Sequence, residues 1–168
     1  MRMILMIAGG LLLVLLLAVL GLFAWGSSMP EAHHVTVSET IPAPLQEVYE
    51  RLRKAEDYTR WRSGLKSVEV IDAGRWIENN DAGRMPLRVL EAAPPKLLVV
   101  KIDTDQLPFE GVWTYSPQEA DGGTRVEITE DGRVKSAMFR ALGRLFFPID
   151  KTARTYLADL QRSFSNPR

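Results

Sequence analysis

Glu130 is the carboxylate whose position speaks most directly of chemistry. It closes the run 124–130, and strict alternation places it on one face with Val126 and Ile128. A carboxylate on the inward face of a sheet is partly desolvated and can serve as an acid/base or ligand-binding group. The alternative is a strand that stops at Thr129, with Glu130, Asp131 and Gly132 in a solvated turn. The two histidines, His33 and His34, are adjacent. Neighbours on a strand point to opposite faces, so they cannot easily share one ion. They are expected to be exposed linker residues, and no metal site is expected. The chain has no Cys, which excludes disulfides, Cys-ligated zinc, iron–sulfur clusters and thiol catalysis. It contains no P-loop, no dinucleotide-binding glycine fingerprint and no Gly-x-Ser-x-Gly elbow. No catalytic residue and no cofactor is assigned.

Binding residues are easier to find than catalytic ones. Trp61, Trp76, Trp113, Tyr115, Phe139, Phe146 and Tyr156, with the strand residue Val100, are candidates to line an apolar pocket, the Tyr hydroxyls orienting a polar end. The same aromatics would equally fill an ordinary core. A second group is basic. Arg140, Arg144, Lys151, Arg154 and Arg162 fall within about 40° of one direction on a helical wheel. Residues 133–168 hold eight basic and two acidic side chains, against twelve and nineteen in residues 26–132. Such a face suits anionic lipid headgroups, or is simply solvated. With a formal net charge of zero over 168 residues, a dedicated nucleic-acid binder is not expected.

These residues need elements to position them, and the first element is a membrane span. Residues 3–25 carry no charge and include nine Leu. At 1.5 Å rise per residue they make about 35 Å of helix, enough for a ~30 Å hydrocarbon core. A cleaved signal peptide is the rival reading, but its apolar region is shorter and ends in a small-x-small site. Here Leu22, Phe23 and Ala24 run into Trp25, a poor site and a good interfacial anchor. Arg2 precedes the span and the next basic residue is Arg51. The positive-inside rule then keeps the N-terminus in the cytoplasm and places the body in the periplasm or outside the cell. The organisation expected is an anchor at 1–25, a linker at 26–33 and one domain at 34–168, a length that suits a single core.

Within the body, residues 34–41 alternate and are β-branched, as a strand requires. Pro44 suits a helix start, and Leu45, Val48, Tyr49 and Leu52 make a helical apolar face. A short helix is expected over 55–61. Strands follow at 65–72, 75–80, 85–92, 97–104, 111–116 and 124–130. From 136 to 163, Met138, Leu142, Leu145, Ile149, Ala153, Tyr156 and Leu160 form one stripe, continued by Phe164, with a kink or break expected at Pro148. The natural surface for that stripe is the concave face of a curved sheet.

This order resembles the helix-grip fold of the START-like (SRPBCC) superfamily of polyketide cyclase/dehydrase and lipid-transport proteins. The resemblance covers about 35–164. It is carried by Ile41-Pro-Ala-Pro44, Ala55-Glu-Asp-Tyr-Thr-Arg-Trp61, Ala93-Pro-Pro-Lys-Leu97, Phe109-Glu-Gly-Val-Trp113, Gly123-Thr-Arg-Val-Glu-Ile-Thr-Glu-Asp-Gly132 and Tyr156-Leu-Ala-Asp-Leu160. It implies an α+β fold, a curved antiparallel sheet around a long C-terminal helix, with an apolar cavity between them for lipids, polyketides or other hydrophobic molecules. These motifs mark packing and not catalysis. The reading is a membrane-anchored, non-catalytic binder of a hydrophobic small molecule or lipid. A cyclase/dehydrase-like enzyme and an envelope interaction module without ligand are the alternatives.

Overall fold

The computed structural model describes residues 2–81, 83–146 and 148–165. A first helix, α1 (Arg2–Ser28), precedes strand β1 (Ala32–Ile41), helix α2 (Leu45–Arg53), a single 3-10 turn at Ala55–Asp57 and helix α3 (Tyr58–Trp61). Six strands follow: β2 (Leu65–Asp72), β3 (Arg75–Asn80), β4 (Gly83–Ala93), β5 (Leu97–Ile102), β6 (Phe109–Ala120) and β7 (Gly123–Val134). Helices α4 (Ala137–Phe146) and α5 (Lys151–Ser165) end the chain. This is the expected helix-grip architecture.

The seven strands form one antiparallel sheet in the order β1-β7-β6-β5-β4-β3-β2. β1 lies against β7, so the first strand is zipped to the last. The hairpin between β6 and β7 depends on glycine. Gly123 has φ +144°, and a Cβ there would lie 2.1 Å from the Ile41 carbonyl oxygen. Beside it, the buried Thr124 hydroxyl donates to the Ala43 carbonyl, pinning the approach to α2.

The core sits between the inner sheet face and the helices α2, α3 and α5. Ile41, Val48, Leu52, Val126 and Leu160 are fully buried. Each such aliphatic side chain contributes about 1.5–3 kcal/mol relative to exposure. Asp159 fixes α5 over the loop after α3. Buried within the helix, it accepts from Ser63 N at 2.6 Å, Ser63 Oγ at 2.7 Å and Arg162 Nη2 at 2.7 Å.

Three expectations change. First, the break expected at Pro148 is complete, so the C-terminal stripe is carried by two helices and only its second half covers the sheet. The break falls where Pro148 has no N–H to give and its ring crowds the preceding turn. Only α5 covers the sheet, burying Ala153, Tyr156, Leu157 and Leu160, while Leu142, Leu145 and Ile149 stay exposed. Second, β7 continues to Val134, so Glu130 is inside a strand and paired in register with both Trp113 and Val35. Third, His33 and His34 belong to β1, opposite Gly132 and Asp131, and not to a linker.

Helix α1 is, among the described residues, the one helix long and apolar enough to cross a membrane, and none of its apolar window is buried. An anchor and a signal sequence share that property. Its last turns rest on α4. Leu22 and Gly26, one turn apart, lose exposure there, and a Cβ on Gly26 would collide with the Ala137 carbonyl at 1.9 Å.

Candidate functional site

Under α5 the sheet encloses a cavity of about 90 Å³. Trp76 and Glu78 enter it from β3, Met85 and Leu87 from β4, Val100 from β5, Trp113 and Tyr115 from β6, and Ile128 from β7. Tyr58 and Arg62 close it on the α3 side, and Thr152, Ala153 and Tyr156 form the roof. Residues two apart on a strand share a face, which is why Trp76 and Glu78, or Trp113 and Tyr115, arrive together. At this size the cavity is smaller than the ~300–1,000 Å³ of common ligand pockets. That is room for a small ring or the end of a larger molecule.

The walls are apolar and aromatic with one charged corner. Arg62 Nη1 donates to Glu78 Oε1, which also accepts from Trp76 Nε1 at 3.1 Å. The Arg62 guanidinium lies 5.0 Å from the ring centre of Tyr58 and 4.7 Å from that of Tyr156. Burial, the largest single effect, would lower its pKa, but the charge and hydrogen bond of Glu78 together with Tyr156 and Tyr115 outweigh it and hold the group above the ordinary arginine value. Arg62 is therefore a fixed positive charge. Three phenols surround it. Burial pushes Tyr58 up to about 12, with Arg62 opposing the rise. Burial raises Tyr115 and Tyr156 as well, and the neighbouring Tyr58 phenol adds to both. All three stay neutral near pH 7, able to donate or accept a hydrogen bond and poorly suited to act as bases.

One of these hydroxyls is poorly satisfied. Tyr58 Oη donates to the Leu52 carbonyl, and Tyr49 Oη to the Leu97 carbonyl at 3.2 Å. Tyr156 Oη is buried and makes no hydrogen bond of good geometry. The Tyr58 hydroxyl beside it gives its own proton to Leu52, and its oxygen can accept only a poorly aligned bond from Tyr156. Buried polar groups are rarely left unpaired, and an orphan at a cavity wall is a place for a ligand atom or a water.

The sequence-derived residues divide clearly. Trp76, Val100, Trp113, Tyr115 and Tyr156 line the cavity. Trp61 stands behind Tyr156, edge-on at 5.2 Å, with its buried Nε1 also unpartnered. Glu130 faces inward beyond Ile128. Its Oε1 lies 3.4 Å from His33 Nε2, and its Oε2 is buried and unpartnered. The His33 ring lies over Gly132, where a Cβ would come within 2.2 Å of it. Phe139 and Phe146 lie outside the cavity, more than half exposed on α4. The break at Pro148 takes them away from the sheet. It also divides the basic group, since Arg140 and Arg144 are on α4 and Lys151, Arg154 and Arg162 on α5. Arg140 is turned inward. Its side chain is 9% exposed, with Nε donating to the Gly26 carbonyl at 2.8 Å and Nη1 to the Val134 and Lys135 carbonyls. Arg154 pairs with Asp150 and Arg162 with Asp159. No group of three or more His, Asp or Glu suited to a metal ion occurs among the described residues.

Sequence reasoning missed Arg62 and Glu78. Alternation from Trp76 would have found Glu78, but nothing in the spacing around Trp61 marks Arg62.

Solved structures share the fold. An aromatase/cyclase, Zhui, from Streptomyces sp. R1128 superposes with a TM-score of 0.70 at 15% identity, covering 80% of this chain and 94% of that one. A START superfamily protein from Mycobacterium smegmatis gives 0.62 at 15% identity, over 79% of this chain and 97% of the other. A Mesorhizobium loti protein gives 0.62 at 18% identity, over 81% and 99%. No curated protein sequence matches. The family described as polyketide cyclase/dehydrase and lipid transport matches residues 32–164, from the start of β1 to the end of α5 and so through every strand that builds the cavity, and the chain belongs to that family.

Proposed function

We propose that the protein is a membrane-anchored binder of a hydrophobic small molecule or lipid, α1 being the anchor and the sheet body lying outside the cytoplasm. The observation that carries this reading is an aromatic cavity with a fixed charge pair in one corner and, at its wall, a Tyr156 hydroxyl without a hydrogen bond of good geometry. Apolar area leaving water at about 25 cal/mol per Å² supplies affinity. The Arg62–Glu78 corner and the Tyr156 hydroxyl supply orientation for one polar end. A ligand larger than the present cavity enters by displacing the first turn of α5, whose Thr152 and Ala153 form the rim. Native mass spectrometry of the full chain released from gentle detergent tests the reading. A co-purifying hydrophobic molecule, lost from a Val100→Trp variant that fills the cavity, is the expected result. An empty wild-type protein that also fails to take up short-chain phospholipids or fatty acids would refute it.

A second reading, a cyclase- or dehydrase-like enzyme, is favoured by one observation, the free Oε2 of Glu130 beside His33. Under that reading Glu130→Gln abolishes turnover and leaves ligand retention intact.

A further inference from the structure

Helix α4 is amphipathic in the wrong sense for a water-soluble body. A surface helix ordinarily turns its apolar stripe to the core. On a 100° wheel Leu145, Leu142, Phe146 and Phe139 fall within about 120°, and all four are exposed, Phe146 to 66%. Ile149, just past the helix, extends this surface at 50%. Arg140 and Arg144 lie on the opposite side of the helix. Arg140 is used up inside the protein, tied to Gly26, Val134, Lys135 and Glu31. The small residue Ala141 is the one fully buried on the helix.

The place of this face identifies what covers it. The N-terminal end of α4 is seated on Gly26, the residue after Trp25 and the last turn of the apolar helix α1. About 20 residues of helix suffice to cross the hydrocarbon core. If α1 spans, its end at Gly26 lies at the membrane–water boundary, and α4 is held at that depth by direct backbone approach. The exposed apolar surface of α4 is thus continuous with that of α1.

We propose that α4 lies in the headgroup region of the bilayer, on the side to which α1 exits, with Phe139, Leu142, Leu145 and Phe146 immersed among the upper acyl segments. The occupant of the face is phospholipid. This inference rests on α1 being a retained anchor, but not on the cavity binding anything. It replaces the idea of a basic face against headgroups with an apolar one. Because only residues 147–151 separate α4 from the rim residue Thr152 in the sequence, it also places the cavity's roof next to the membrane surface.

The absence of cysteine allows a direct test. Single Leu142→Cys, Phe146→Cys, Arg144→Cys and Leu12→Cys variants of the full chain are spin-labelled and reconstituted in phosphatidylcholine/phosphatidylglycerol vesicles. Collision accessibility to oxygen, which favours lipid, is compared with that to a water-soluble nickel chelate. The expected result is a ratio several-fold higher at Leu142 and Phe146 than at Arg144, with Leu12 deepest. A lipid-embedded Leu12 label with uniformly aqueous α4 labels overturns the inference while the anchor stands. An aqueous Leu12 label overturns the anchor and the inference together. Labels at Leu142 and Phe146 shielded from both reagents would show a second protein covering the face, and would also overturn it.

Discussion

Replacing Tyr156 by Phe removes one oxygen and should make the empty protein more stable. The hydroxyl is buried with no hydrogen bond of good geometry, only a poorly aligned approach to the Tyr58 oxygen, so the folded state carries most of its desolvation cost uncompensated. That cost is about 1–3 kcal/mol for a buried neutral polar group. The ring keeps its packing against Trp61 and Tyr115, with centroids 5.2 Å and 5.3 Å away, so no cavity is opened. At about 4 °C per kcal/mol for a domain of this size, Tm rises by roughly 4–12 °C. Tyr49→Phe is the internal control. It deletes a hydroxyl that donates to the Leu97 carbonyl, and should lower stability by about 0.5–1.5 kcal/mol. The two substitutions are chemically identical and differ only in whether the oxygen has a well-aligned partner. Thermal unfolding of the full chain in a mild detergent, followed by near-ultraviolet circular dichroism, reads both. Binding should move the other way for Tyr156→Phe, since losing one net hydrogen bond weakens affinity roughly 2- to 13-fold. A Tyr156→Phe protein that melts below wild type by as much as Tyr49→Phe would show that the hydroxyl is already satisfied. The argument that it waits for a ligand would then fail.

Two more outcomes follow from the charged corner and its phenols. The folded protein keeps the Tyr58 proton up to about pH 12, whereas the unfolded chain releases it near 10. Stability is therefore full below about pH 10 and lost as pH rises toward 12, by about 3 kcal/mol from this residue. Tyr115 and Tyr156 act in the same direction, so Tm should fall steeply between about pH 10 and 12, and a flat profile would contradict the burial of these phenols. Arg62→Met leaves the buried Glu78 carboxylate with only the Trp76 indole N–H, and should cost about 3–5 kcal/mol. Adding Glu78→Gln should recover much of that loss in urea unfolding, and a purely additive double variant would show the pair to be uncoupled.

How far the sequence could be read depends on which residues act locally. In β7 the alternation of Val126, Ile128 and Glu130 is a property of the strand itself, so the inward direction of Glu130 follows from spacing alone. The break at Pro148 is equally local, because the missing N–H belongs to that residue. What the break does to the helix before it is not local. Met138, Leu142, Leu145 and Ile149 share a helical period with Ala153, Tyr156 and Leu160. Periodicity records that a face is apolar and not what it meets. The stripe on α5 meets the sheet, and the stripe on α4 does not. Arg140 was misleading for the same reason. A wheel gives the direction of its Cβ, whereas its guanidinium reaches back to carbonyls of Gly26, Val134 and Lys135, far apart in sequence. Arg62 and Glu78 form a site only because α3 is folded against β3, a juxtaposition that no single segment encodes. His33 was hidden by its closeness to the N-terminal helix. It belongs to β1 because β7 runs four residues further than its alternating stretch suggests.

The Arg140 side chain has a mechanical consequence. It ties the end of α1 to the last residues of β7, bypassing the three residues, Met29 to Glu31, that join α1 to β1. These bonds brace the short connection that would otherwise be a hinge between rod and sheet. In a bilayer, a helix leans according to the mismatch between its length and the local thickness. Should α1 span a bilayer, this brace would carry its lean to the sheet, and membrane thickness would bear on the direction in which the cavity faces.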